Sequence, residues 1–168
     1  MAFSADVKGE LCRPHINRRC CAQAEAYGVL LFCGTFHPRQ ARIVTECGTL
    51  KERLPLLFRK AFKVSFDQLP EPGEGKGTFL IEDPAKLRTI FEAFDLERDA
   101  SVSLHINLAP LEEEHCRAAF LRGAFLAGGS VTDPMKSYHL ELATSHYHVG
   151  RELPALLREA GFEPKETQ

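Results

Sequence analysis

Six cysteines are the side chains of this sequence with the most evident capacity for chemistry, because thiolates bind soft metals and oxidise to disulfides. They are Cys12, Cys20, Cys21, Cys33, Cys47 and Cys116. No pair has the Cys-x-x-Cys spacing that is typical of zinc ligands, and two are adjacent. Free cysteine is also among the most buried residue types. We therefore expect small buried thiols, and neither a metal site nor a cofactor.

The charge of the chain argues against a protein that binds nucleic acid mainly through phosphates. Its 21 basic and 23 acidic residues give a net charge of −2, whereas such domains are usually strongly basic. Two local basic clusters occur, CRPHINRRC at 12–20 and FRKAFK at 58–63, and such clusters are more often solvated helix faces. We therefore expect weak affinity for DNA from this chain alone.

The composition is that of a soluble globular protein. Hydrophobic residues make up 44% of the 168 positions, enough to bury a core as one domain or two tight halves. The chain lacks the apolar run of about 18 residues that a membrane span requires. Its start, MAFSADVKGEL, lacks the apolar stretch of a signal peptide. We therefore predict a cytoplasmic protein without membrane partners.

Two parts of the chain repeat each other at an offset of 95 positions, the distance from Cys21 to Cys116. An ordered repeat of this kind determines the whole fold. Further along, Glu46 and Glu141 keep the same offset, and after a slip of four residues 54–62 matches 153–162. The other pairs are Ala24 with Ala119, Gly28 with Gly123, Leu31 with Leu126, Gly34 with Gly129, Thr35 with Ser130 and Thr49 with Thr144.

Each copy of the repeat predicts the same order of elements. A helix (19–32 or 112–127) ends at a glycine suited to positive φ. An alternating strand follows, and then an amphipathic helix in which Pro55 or Pro154 marks a first turn or a kink. The first copy adds strands at 62–68 and 77–83 and a helix at 84–94, whereas the second stops where its strand pair would begin. The predicted units are an amino-terminal helix plus first lobe at 1–96, a linker at 97–111 and an incomplete second lobe at 112–168.

Small residues share one face of each repeated helix. A glycine inside a helix costs about 1 kcal/mol relative to alanine, so Gly28 and Gly123 indicate a close approach to another element. The simplest partner is the other copy, with the two helices in near backbone contact about a pseudo-twofold axis, although tight packing of each helix on a sheet is the alternative. The predicted interface residues are Cys21, Ala24, Gly28, Cys116, Ala119, Gly123 and Ala127.

The segment LRGAFLAGGSV at 121–131 resembles the LAGLIDADG helix of homing endonucleases, and YGVLLFCGTF at 27–36 resembles a degenerate first copy. With FSADVKGEL near the start and CRAAFLRGAFLAGGSVTDPMKSYHLE at 116–141, the chain resembles the amino-terminal part of the WhiA family of bacterial sporulation regulators. The resemblance implies an α+β fold with two pseudo-twofold-related lobes, two packed central helices and curved antiparallel sheets, the second lobe being truncated.

In the endonucleases, an acidic residue at the end of each central helix binds divalent metal, and Mg²⁺ requires oxygen ligands. The resemblance places Cys33 and Gly128 at these two positions, and neither side chain is such a ligand. The nearest carboxylate, Asp133, lies in a Thr-Asp-Pro turn. We therefore expect a catalytically inactive domain without metal.

The WhiA resemblance also implies promoter binding in sporulation or cell division, association with the nucleoid, and a helix-turn-helix region that this sequence lacks. The incomplete second lobe predicts an exposed sheet edge and therefore a homodimer. If the sheets still contact DNA, the candidate residues on their outward faces are Arg42, Thr45, Lys63, Ser65, Tyr138 and His139.

Two other functions stay open. The first is an active endonuclease that uses non-standard acids, for which the matched pair Glu46 and Glu141 is the candidate. The second is a protein-interaction module that binds a sigma factor or another transcription protein. In the leading hypothesis the domain is a scaffold of a WhiA-type regulator that apposes DNA or docks a protein.

Overall fold

Two helices, α2 (Arg19–Phe32) and α5 (Glu114–Gly128), form the centre of the computed structural model, which describes residues 2–99 and 103–167. Each of them leads into a β-hairpin and then a further helix. The first lobe continues with one more strand and one more helix, and a helix precedes it. The remaining elements are α1 (Ala2–Leu11), β1 (Thr35–His37), β2 (Gln40–Thr45), α3 (Gly48–Phe62), β3 (Gly77–Ile81), α4 (Pro84–Ala93), β4 (Gly129–Val131), β5 (Leu140–Leu142) and α6 (Tyr147–Glu159), with a 3₁₀ turn at Ala109–Leu111.

The two lobes differ in the size of their sheets. In the first lobe, β1, β2 and β3 form an antiparallel sheet in that order, whereas β4 and β5 form a two-stranded sheet in the second. The shared order of helix, hairpin and helix confirms the predicted α+β architecture of two related lobes around central helices. Among the described residues, no helix is long and apolar enough to cross a lipid bilayer.

The central helices touch through their backbones at two reciprocal points. A Cβ added to Gly28 would overlap the Phe120 carbonyl oxygen and lie 2.7 Å from the Ala124 nitrogen. A Cβ added to Gly123 would overlap the Glu25 carbonyl oxygen and lie 3.1 Å from the Val29 nitrogen. Each glycine therefore sits against the backbone of the opposite helix, where no side chain fits.

The other predicted interface residues surround these contacts. Ala24 and Ala119 are fully buried, and Ala127 packs half-buried against the same core. Aromatic rings close the space beside them: Tyr27 stacks on Phe94 with ring centroids 4.2 Å apart. Because residues of both lobes belong to one hydrophobic cluster, the lobes share a core.

A buried ion-pair network joins three helices. The Glu25 carboxylate accepts hydrogen bonds from Arg53 Nε at 2.7 Å and Nη2 at 2.9 Å, and from Arg122 Nε at 2.7 Å. The Glu25 and Arg53 side chains are 1% and 6% exposed, so their charges are removed from water and depend on each other. Arg53 Nη1 also donates to the carbonyls of Cys12 and Pro14. This ties the segment after α1 to α3.

The linker between the lobes is held by polar contacts in its described part. The Tyr27 hydroxyl donates to the His105 carbonyl at 3.1 Å and accepts from the Asn107 amide at 2.8 Å. Glu152 of α6 accepts from the Ile106 amide at 2.8 Å. Residues 100–102 of the predicted linker lie outside the described residues.

Several predicted local features are wrong. The segment 62–68 is not a strand: α3 continues to Phe62, Lys63 ends it in the left-handed region at φ 58°, and a single bridge joins Gln68 to Leu80. Neither central helix ends at a glycine with positive φ, because Cys33 and Gly129 are the C-caps and both are extended. Pro55 and Pro154 lie in the interiors of α3 and α6, so their placement in a first turn is wrong, whereas a kink at these positions stays a prediction.

The helix that begins at Pro84 follows the sequence signals closely. Asp83 is its N-cap, and the side chain accepts a hydrogen bond from the Ala85 amide at 2.9 Å. A capping carboxylate followed by proline is typical of a helix start.

The contact between the central helices predicts a strong effect of one methyl group. Gly123→Ala should lower the free energy of unfolding by about 3 kcal/mol or more, because the added Cβ overlaps the backbone of α2. Denaturant unfolding measures this value. Gly9→Ala in α1 is the matched control: its Cβ meets nothing within 4 Å, so stability should stay equal or rise. Equal stabilities for both variants would contradict the close approach.

Candidate functional site

The carboxyl ends of α2 and α5 carry the two positions that hold acids in LAGLIDADG endonucleases. Cys33 is buried there, and its Sγ donates to the Leu30 carbonyl at 3.1 Å and to the Thr35 carbonyl at 3.5 Å. Burial raises the pKa of the Cys33 thiol to about 12. At neutral pH this group is therefore an uncharged donor, which suits neither Mg²⁺ nor activation of water.

The second position has no room for a carboxylate. A Cβ on Gly128 would overlap the Ala143 carbonyl oxygen and lie 3.0 Å from the Phe32 carbonyl oxygen. The Ala143 amide donates to the Gly128 carbonyl at 2.9 Å, which fixes this arrangement. Asp133 is engaged in its turn, where Oδ1 accepts from the Met135 amide at 2.9 Å. The residues at the helix ends therefore do not fit the divalent metal site of the endonucleases.

The hairpin registers overturn the pairing of Glu46 with Glu141. In the first lobe Thr35 pairs with Arg42, and in the second lobe the repeat partner of Thr35, Ser130, pairs with Glu141. The four-residue slip therefore lies in the hairpin turns, and Glu141 corresponds to Arg42. Glu46 lies past the end of β2, so the two glutamates are not related by the pseudo-twofold axis.

Two of the predicted DNA contacts, Arg42 and Thr45, lie on the first sheet, and only Arg42 faces outward. Arg42 is exposed between the buried Ala41 and Ile43. Thr45 has the same strand phase as Ile43, and its hydroxyl accepts a hydrogen bond from the Cys47 amide at 3.1 Å. Its prediction as an outward contact is therefore wrong, because the hydroxyl is used in the turn before α3.

The other four predicted contacts lie outside regular strands. Lys63 is the C-cap of α3, and Ser65 follows in an irregular segment where its carbonyl accepts from Lys86 Nζ at 2.9 Å. Tyr138 and His139 precede β5 in the second hairpin and are exposed. Their prediction as strand residues is wrong, although all four remain at the surface.

The outward sheet faces of the two lobes carry opposite charges at corresponding places. Arg42 in the first lobe has Glu141 as its counterpart, and the Glu141 carboxylate lies 3.7 Å from the His139 ring nitrogen. A surface that binds the phosphates of both halves of a duplex needs positive charge in both lobes. The two lobes therefore do not present matched positive charge at these positions.

Comparison with known proteins identifies relatives of this chain. A family model described as the WhiA LAGLIDADG-like domain matches residues 117–168. A probable cell division protein WhiA of Alkaliphilus oremlandii is 34% identical over 170 residues, which is 88% of this chain and 51% of the relative. The one of Ruminiclostridium cellulolyticum is 30% identical over 178 residues, 98% of this chain and 56% of the relative. The chain is a LAGLIDADG-like domain of the WhiA family. It spans about half the length of these curated relatives.

Solved structures confirm the fold. The crystal structure of the N-terminal LAGLIDADG domain of DUF199/WhiA has a TM-score of 0.67 at 22% identity, covering 94% of this chain and 72% of that one. Full-length DUF199/WhiA from Thermatoga maritima has a TM-score of 0.65 at 22% identity, covering 94% of this chain and 49% of that one. The fold predicted from the WhiA resemblance is therefore confirmed.

Four side chains meet at the amino-terminal ends of the central helices of this WhiA-family domain. The ligand-type atoms of Cys20, Cys21, His115 and Cys116 all lie within 4.8 Å of one another. Burial raises the pKa of the Cys116 thiol to about 12. Burial, and to a smaller extent the neighbouring Cys20 thiol, raises the pKa of Cys21. The expectation of small buried thiols is met by Cys33 and Cys116 but is wrong for Cys20, which is exposed.

A cavity of about 370 Å³ lies between β1 and the start of α6. Phe36, His37, His146 and Tyr147 are among the residues that line it. The Nε2 atom of His146 is buried without a hydrogen-bond partner, and burial lowers the pKa of this imidazole. The ring is therefore neutral at physiological pH. This residue was not predicted, because no periodicity or motif in the sequence distinguishes it.

The crowding at Gly128 predicts that restoring the lost acid fails. Gly128→Asp should lower the free energy of unfolding by about 1–3 kcal/mol, since its Cβ overlaps the Ala143 carbonyl and forces β5 to move. It should not create metal-dependent DNA cleavage, because Cys33 occupies the other acid position and supplies no carboxylate. Thermal unfolding and a plasmid-nicking assay with Mg²⁺ test both statements. A variant that is stable and cleaves would contradict this account of the helix ends.

Proposed function

We propose that this domain is a catalytically inactive LAGLIDADG scaffold of a WhiA-type transcription regulator of cell division, in which it apposes DNA or docks a protein without cutting DNA. The observation that carries the proposal is the pair of helix ends. A buried neutral thiol, Cys33, and a position without space for a side chain, Gly128, stand where a nuclease needs two carboxylates.

Support for a role near DNA comes from the family and from the first lobe. The two curated relatives described above are named probable cell division protein WhiA, and the resemblance implies that sequence-specific promoter contacts come from a helix-turn-helix region outside this domain. Arg42 is exposed on the outward face of the first sheet, whereas Glu141 occupies the corresponding place in the second. The proposed contact is therefore weak and made mainly to phosphates. Nucleoid association belongs to the same proposal.

Protein docking is the second candidate, and one observation favours it. The hairpin between β4 and β5 exposes Met135 and Tyr138, each 92% exposed, beside Leu140 at 54%. Exposed apolar side chains grouped on one hairpin are typical of interaction surfaces. In this version of the proposal the hairpin contacts a sigma factor or another transcription protein, or a second copy of the domain as a homodimer.

The absence of nuclease activity is directly testable. Incubation of the domain with supercoiled plasmid and Mg²⁺ or Mn²⁺ should give no nicking above that of buffer, with an authentic metal-dependent endonuclease as the positive control. Nicking that disappears in Glu46→Gln or Glu141→Gln would contradict the proposal and would favour a nuclease with non-standard acids.

The charge asymmetry of the sheets predicts opposite effects of two matched substitutions on DNA binding. Arg42→Gln should weaken binding to a short duplex and reduce the salt slope by about 1, because one phosphate contact is lost. Glu141→Gln, at the corresponding place in the other lobe, should strengthen binding or leave it unchanged. Fluorescence anisotropy over a range of salt concentrations measures both. Absence of binding by the unsubstituted domain even at low salt would contradict the DNA role and favour protein docking.

A further inference from the structure

A three-cysteine, one-histidine cluster lies at the end of the central helices opposite to the lost acids. Cys20 and Cys21 are the second and third residues of α2, and His115 and Cys116 are the second and third residues of α5. The repeat offset of 95 that relates Cys21 to Cys116 also relates Cys20 to His115. The cluster therefore straddles the pseudo-twofold axis, with two potential ligands from each lobe.

The distances between the ligand atoms of the cluster are close to those between the ligands of a tetrahedral metal site. His115 Nδ1 lies 3.3 Å from Cys21 Sγ and 3.4 Å from Cys116 Sγ. All four ligand atoms are within 4.8 Å of one another. A zinc ion with Zn–S bonds of about 2.3 Å holds its sulfur ligands about 3.8 Å apart. Small rotations of these side chains would place all four atoms at bonding distance from one central ion.

The donor set selects a soft or borderline metal. Thiolate and imidazole ligands suit Zn²⁺, whereas Mg²⁺ and Ca²⁺ require oxygen ligands. Cys20 and His115 are exposed and Cys21 is half-buried, so an ion has access from solvent, while Cys116 is buried beneath them. Three cysteines and one histidine in four-coordinate geometry form one of the common closed structural zinc sites.

We propose that Cys20, Cys21, His115 and Cys116 bind one Zn²⁺ ion, which joins the two central helices at their amino-terminal ends. Three thiolates and one divalent cation leave a net charge of −1, and the positive ends of the two helix dipoles stabilise that charge. The ion closes a long loop of chain between the ligand pairs. Its role is structural, because all four coordination positions come from the protein.

Zinc binding is tested first with the metal as its own probe. The reduced, chelator-treated domain is titrated with Co²⁺ in an oxygen-free buffer. We expect visible d–d absorption of tetrahedral cobalt and sulfur-to-cobalt charge transfer that saturate at one ion per chain and disappear when Zn²⁺ is added. We also expect Zn²⁺ to raise the melting temperature, because a ligand of the folded state stabilises it.

Three variants of the proposed ligands and one control cysteine variant distinguish Zn²⁺ binding at this cluster from binding at other thiols. Cys20→Ser, Cys116→Ser and His115→Gln should each weaken Zn²⁺ affinity by at least about tenfold, the smallest loss typical even of outer-shell changes. Cys47→Ser, at a half-buried cysteine outside the cluster, should bind as the unsubstituted domain does. Cys20 is exposed and Cys116 is buried. We therefore expect Cys20→Ser to stay folded even if Cys116→Ser unfolds the domain.

Two results would overturn the proposal. One is a reduced domain that gives no tetrahedral cobalt spectrum and no change in melting temperature with Zn²⁺. The other is a spectrum that persists unchanged in Cys20→Ser and His115→Gln but is lost in Cys47→Ser, which would place the metal at other thiols. Mass spectrometry of the same reduced samples verifies that no disulfide has consumed the cysteines. Neither result depends on DNA binding or cleavage by the domain.

Discussion

The contact between the backbones of α2 and α5 is the constraint on which the rest of the structure depends. Because Gly28 and Gly123 lie directly against the opposite helix, the two helices are close enough for Tyr27, Phe94 and Phe120 to fill one shared core. Each helix leads at its carboxyl end into the hairpin of its own lobe. A larger residue at either glycine would separate the helices and with them both sheets.

The central helix pair also divides the molecule into two chemically different ends. At the carboxyl ends, the Cys33 thiol and the carbonyls around Gly128 offer no negative charge to a metal. At the amino ends, three thiols and an imidazole converge. In endonucleases, this scaffold holds oxygen ligands for metal at the carboxyl ends of the helices. In this chain, the side chains that could bind a metal lie at the amino ends. Such a change preserves the fold, since the helix contact itself requires only small residues.

The sequence predicted the features that depend on repetition and local signals, and missed those that depend on distant pairs. The repeat identified both central helices and their glycines, and the helix predicted from position 84 begins there as α4. The segment 62–68 was predicted as a strand, but Val64 and Phe66 are buried in an irregular segment with one bridge. The network of Glu25 with Arg53 and Arg122 joins residues that are far apart in the chain and share no spacing motif. Such pairs are specified by helix packing, which periodicity alone does not encode.

The buried network of Glu25 restricts how related sequences can change. Loss of the glutamate alone would leave the Arg53 guanidinium without a counter-charge in the interior, whereas joint replacement by apolar side chains of similar volume need carry little penalty. Arg53 also holds the carbonyls of Cys12 and Pro14, so an apolar replacement must be matched in the turn after α1. In natural relatives these positions should therefore covary.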